Sequence, residues 1–106
     1  MDAIMGKGTA HTATAPITVK PSGLLCQAEL WLTKDAGVTK AATSGLKSFT
    51  STGAVQNISF PVTMPSVWGD FLVYIDVFAE GMLIGAYVAT EHVIIPDVII
   101  GPPVWV

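Results

Sequence analysis

Hydrophobic and polar residues alternate along most of this chain with a period of two, the period of strands whose side chains point to opposite faces. Leu24 to Thr33 is the clearest case, with Leu24, Cys26, Ala28, Leu30 and Leu32 in one phase and Leu25, Gln27, Glu29, Trp31 and Thr33 in the other. Val55 to Met64 repeats the pattern with Ile58, Phe60, Val62 and Met64 inward. Pro61 falls on its other side, which implies an edge position or a bulge. Shorter runs at Ala15 to Lys20, Val38 to Thr43 and Leu46 to Ser51 are separated by Pro21-Ser22-Gly23, Lys34-Asp35-Ala36-Gly37 and Ser44-Gly45, all turn-forming combinations. No sustained helical period and no internal repeat occur.

The strongest element is Phe71 to Thr90, FLVYIDVFAEGMLIGAYVAT, which reads as a β-hairpin about Glu80-Gly81. That turn pairs Ala79 with Met82, Val77 with Ile84, Ile75 with Ala86, Val73 with Val88 and Phe71 with Thr90. Opposed residues share a face, so this set forms a core face. The other face pairs Phe78 with Leu83, Asp76 with Gly85, Tyr74 with Tyr87 and Leu72 with Ala89. Only Asp76 on it is charged, whereas the outer face of a half-buried antiparallel pair is normally polar. The second strand has the composition to continue to Ile95.

Seven short strands at regular spacing with Gly/Pro-rich turns predict an all-β, seven-stranded antiparallel β-sandwich over residues 15–95. Residues 1–14, rich in Ala, Thr and Gly, read as a flexible arm. Residues 96–106, PDVIIGPPVWV, carry Val98, Ile99, Ile100, Val104, Trp105 and Val106 with one charge, Asp97. Disordered tails are ordinarily polar, so this one reads either as a docking segment or as a linker meeting a neighbouring domain.

Composition strengthens the expectation of assembly. Charged residues make up 12% of 106 residues, about half the usual share, hydrophobic residues reach 51% and mean hydropathy is +0.59. A domain this small has much surface and few charges to cover it. The net charge is −3 and the five cations are scattered lysines, so no nucleic-acid footprint exists. No run approaches the ~20 apolar residues of a membrane-spanning helix. The N-terminus lacks the charged start and apolar run of a signal peptide. The reading is of a soluble chain that binds neither nucleic acid nor membrane.

Candidate chemistry is sparse, and the expectation is a non-enzyme with no cofactor and no metal. Cys26 is the only cysteine, in phase with the core and without a neighbouring base, so it reads as a small buried hydrophobe. His11 lies in the expected arm, and His92 and Glu91 point to opposite faces, which prevents a joint grip on a metal. Asp76 and Glu80 share a face but stand roughly 13 Å apart by strand rise, too far for paired-carboxylate glycoside chemistry. Ser44 lacks the context of a nucleophile elbow. Gly6-Lys7-Gly8-Thr9 lacks the strand, helix and first glycine of a phosphate loop. Asn57-Ile58-Ser59 fits the glycosylation pattern by chance in a chain without a leader.

The run Gly69-Asp70-Phe71-Leu72-Val73-Tyr74-Ile75-Asp76-Val77, followed by Glu80-Gly81, resembles the penultimate strand of immunoglobulin-like and fibronectin-type-III-like modules. It is similar above all to the bacterial CARDB- and PKD-like groups of surface and phage virion proteins. Phe71 stands where the family has Tyr, so the hydroxyl tie to the backbone is absent, as is the disulfide of antibody domains. The resemblance implies a non-catalytic spacer, adhesive unit or decoration protein. The expected function is a structural protein of a virion or other extracellular assembly. It self-associates, or docks on a particle protein, through Leu72, Tyr74, Phe78, Leu83, Tyr87 and Trp31 and through tail residues Ile99, Ile100, Val104 and Trp105. Exposed aromatics on a flat β face also suit sugars, so a carbohydrate-binding or adhesive module is the alternative.

Overall fold

A computed structural model describes residues 2–34 and 39–105. The chain is all-β, 56% strand and without helix among these residues, in sheets that do not close into a barrel. Nine strands occur among the described residues: β1 Ala3–Ile4, β2 Ala10–Thr18, β3 Leu25–Thr33, β4 Ala42–Thr43, β5 Lys47–Thr50, β6 Val55–Thr63, β7 Gly69–Ala79, β8 Met82–Val88 and β9 Val93–Ile95. Each of the seven expected strands has a counterpart; β1 is additional, and β9 falls within the expected continuation of the hairpin to Ile95. The start of the expected Val38 strand and most of the Lys34–Gly37 turn lie outside the described residues.

In the larger sheet β7 is central, with β3 antiparallel on one edge and β8 followed by β9 on the other. β4 and β5 share the far edge of β3, and β1 adds to β9 in parallel. The second sheet is the antiparallel pair β2–β6. The two sheets face one another across a shared core of Ala28, Leu30, Leu32, Phe60, Val62 and Phe71, with Val93 and Ile95 at one end. Those on β3 and β6 are the inward phases read from the alternation of these strands, and Phe60 and Phe71 are wholly buried. Pro61 is tolerated mid-strand because β6 has a single ladder partner, β2, among the described residues.

Three features depart from the sequence reading. The first is the N-terminal segment. Residues 10–14, expected in a flexible arm, form the first half of β2 and pair with β6 from Thr63 to Ser59, while Ala3 and Ile4 pair with β9. The second is the end of the hairpin. The chain does follow the edge of β7 to Ile95, since the Ala89 amide donates to Val73 O at 2.9 Å, but residues 90–92 leave the ladder before β9 re-forms it.

The third is the hairpin register. The turn is where the sequence puts it: Glu80 and Gly81 have φ of 49° and 80°, as a two-residue turn with positive φ at both positions requires. Glu80 is held there by its amide, 2.9 Å from Leu25 O, and by a carboxylate oxygen accepting from the Leu25 amide at 3.1 Å. Ala79 pairs with Met82 and Phe78 with Leu83 as expected. The register then shifts beside Val77, which pairs with Gly85, so that Asp76 pairs with Ala86, Ile75 with Tyr87 and Tyr74 with Val88. Ile84 is the extra residue of a bulge, which twists the strand locally. A one-residue slip exchanges the two faces: beyond the bulge, Tyr87 joins the Ile75 and Val77 side, and Ala86 and Val88 join the outer side.

The loop before β3 is tied down by Ser51, whose hydroxyl donates to Pro21 O at 2.6 Å and accepts from the Leu24 amide at 2.9 Å. This serine is 3% exposed, so both backbone groups depend on it for partners that water would otherwise supply.

Candidate functional site

The outer face of the larger sheet carries most of the residues singled out from the sequence, but it is less open than alternation implies. Trp31 and Tyr74 are directly opposed on β3 and β7. Their rings stack with centroids 4.7 Å apart and an interplanar angle of 18°. Trp31 Nε1–H donates to Asp76 at 3.0 Å, and Lys40 Nζ lies over the indole, 5.2 Å from its centroid. Trp31 is therefore only 7% exposed. The expectation of an exposed Trp31 fails because the side chains of Tyr74, Asp76 and Lys40 cover it. Leu72, Tyr74 and Phe78 are half-buried.

Lys40 is itself oriented by Glu29, at 2.7 Å, and Glu29 also accepts a short hydrogen bond from the Thr43 hydroxyl. Partial burial raises the Glu29 pKa. The hydrogen bonds from Lys40 and Thr43, with the Lys40 charge, outweigh that and hold it below its ordinary value of 4.5. A carboxyl with a depressed folded pKa contributes stability above its unfolded pKa and loses it as pH falls through the folded value. Thermal denaturation followed from neutral pH to below 4.5 is expected to show a falling midpoint, and Glu29→Gln is expected to flatten that fall.

Freely exposed apolar surface is concentrated on β8 and the tail. Every residue of β8 is exposed, including Leu83 and Tyr87 at 59% each. Leu83 lies opposite Phe78 on the outer side, whereas Tyr87 lies opposite Ile75 on the other, so the structure divides a pair the sequence placed together. Met82, Ile84 and Val88, assigned to the core face by the sequence, are likewise about half exposed or more. The signal for them was the absence of charge through all of MLIGAYV. It marks an edge strand with one ladder partner among the described residues, whose backbone groups on the other side are a template for pairing. In the tail, Ile99, Ile100, Val104 and Trp105 are 84–94% exposed. Its root is fixed by Lys7 Nζ, 2.5 Å from Asp97, which lowers the Asp97 pKa.

Between β2 and the β7–β8 hairpin the two sheets do not meet. Residues opposed on β2 and β6 share a face, so Ala13 and Ala15 look inward beside Phe60 and Ile58. These alanines are too short to reach Leu32 and Ile75. The space left is a pair of adjoining apolar recesses of about 310 and 470 Å³, sharing Ala15 and Ile75 and bordered by Ile17, Val77 and Tyr87. β2 has no ladder partner on this open side among the described residues.

Ionisable and nucleophilic groups are engaged locally. Cys26 is buried. His11 contacts the Thr9 hydroxyl at 2.7 Å. His92 contacts Asp70 at 2.7 Å, and its amide donates to Asp2. Asp76 and Glu80, considered together from the sequence, each accept from β3. No group of three or more His, Cys, Asp or Glu poised for a metal occurs among the described residues. No family model matches the chain, and searches of curated proteins and of solved structures find no match.

Proposed function

We propose that this chain is a non-enzymatic structural protein, an immunoglobulin-like β-sandwich that self-associates or docks into a larger particle such as a virion or filament. The observation that carries this reading is the exposed, charge-free edge strand β8 together with the apolar tail. A contiguous apolar surface rimmed by polar residues is characteristic of protein interaction sites. Fully burying one aliphatic side chain stabilises a contact by about 1.5–3 kcal/mol, so several residues of β8 and the tail suffice to offset the cost of association. The sugar-binding alternative draws less support, because the Trp31 ring it would use is committed to Tyr74, Lys40 and Asp76. Sedimentation or mass photometry of the full chain at micromolar concentration is the test. Species larger than one protomer are expected, and a clean monomer would overturn the proposal.

A further inference from the structure

Resting on that self-association, we infer that the recess between β2 and the β7–β8 hairpin is the acceptor for the C-terminal tail of a second copy. The tail supplies the strand this side of the two-layer body lacks. The acceptor has an apolar floor (Leu32, Ile75, Val77) and one strand edge, β2, of nine residues, unpaired among the described residues. At about 3.3 Å per residue that edge is roughly 30 Å long. The donor, residues 97–105, has the same length when extended and carries no charge beyond Asp97. Added to a free edge, it gains main-chain hydrogen bonds while alternate side chains enter the recess. Pro102 and Pro103 interrupt the ladder, so 97–101 provides the paired segment and Trp105 a separate anchor.

Geometry favours another protomer's tail over the protein's own. β9 ends at Ile95, opposite Gly69 at the start of β7, and the tail continues outward from that end of the sheet. The long axis of the molecule is 72 Å against 24 and 22 Å across. The large apolar side chains of the tail are 84–94% exposed from Ile99 to Trp105, so the tail does not fold back onto the body that carries it. The Lys7–Asp97 pair holds the root in that direction, whereas the molecule's own recess lies behind it. Tail into recess is a heterologous contact. Repeated without closing, it builds an open head-to-tail fibre rather than a symmetric dimer.

The test is a disulfide trap in the full-length chain. Two differently tagged variants, Ile100→Cys in one and Ala15→Cys in the other, are mixed and oxidised; the buried Cys26 is a poor competitor. A doubly tagged, disulfide-linked band is expected. It should be lost when Ser59→Cys, exposed on the outer face of β6, replaces Ala15→Cys. Hydrogen exchange on the unmodified protein gives a second readout: amides of β2 and of residues 97–101 gain protection together as concentration rises. If copies associate but the Ala15 band does not exceed the Ser59 band and β2 gains no protection, the acceptor assignment is overturned while self-association stands. If no association is detected at any concentration, both fall.

Discussion

Leu83→Lys combined with Val88→Lys is expected to leave a folded protein that assembles more weakly, by losing the contact that covers β8. Both side chains are half exposed or more in the single protomer, and surface substitutions of this kind ordinarily change stability by no more than about 0.5 kcal/mol. In an assembled state that covers β8 the same changes act twice, removing apolar burial and forcing two ammonium groups out of water. The lost burial alone is worth about 3 kcal/mol for the pair, about a hundredfold in the dissociation constant, before the desolvation of the charges. Far-UV circular dichroism should match the parent protein while sedimentation shows a shift toward smaller species. An unchanged size distribution with both lysines present would mean that the contact lies away from β8.

Phe60→Ala is expected to cost about 3–5 kcal/mol, the range for removing a large aromatic side chain from a packed core. Phe60 has no exposed surface and sits among residues of both sheets. The loss is a large fraction of the roughly 5–15 kcal/mol that stabilises a typical domain. Urea denaturation should show a lower midpoint with little change in slope. A cost below about 1 kcal/mol would mean that β6 does not pack on β3 and β7 as described.

The alternation of β3 and β6 made most of the core legible, because inward positions there hold Leu, Val, Met and Phe against polar neighbours. The first half of β2 was not legible for a related reason. Its inward positions are His11 and Ala13 among threonines, a contrast too weak to register as a period, although the backbone pairs regularly with β6. The turn at Glu80-Gly81 could be located because glycine marks positive φ. The bulge three residues beyond it could not, because the choice between Ile84 and Gly85 as the partner of Val77 depends on twist rather than on residue type. That one choice moved Tyr87 from the outer face to the rim of the recess. Trp31 was placed on the correct face but not in its surroundings: phase gives direction, whereas cover depends on Lys40, which reaches it from the connection before β4.

The two alanines on the inner face of β2 have a consequence for the single molecule. Bulkier residues at Ala13 and Ala15 could fill the gap from within, but they would also occupy the place where a visiting chain could lie. Solitary stability and receptivity therefore draw on the same volume. The lone protomer forgoes part of its own cohesion and is an unfinished object.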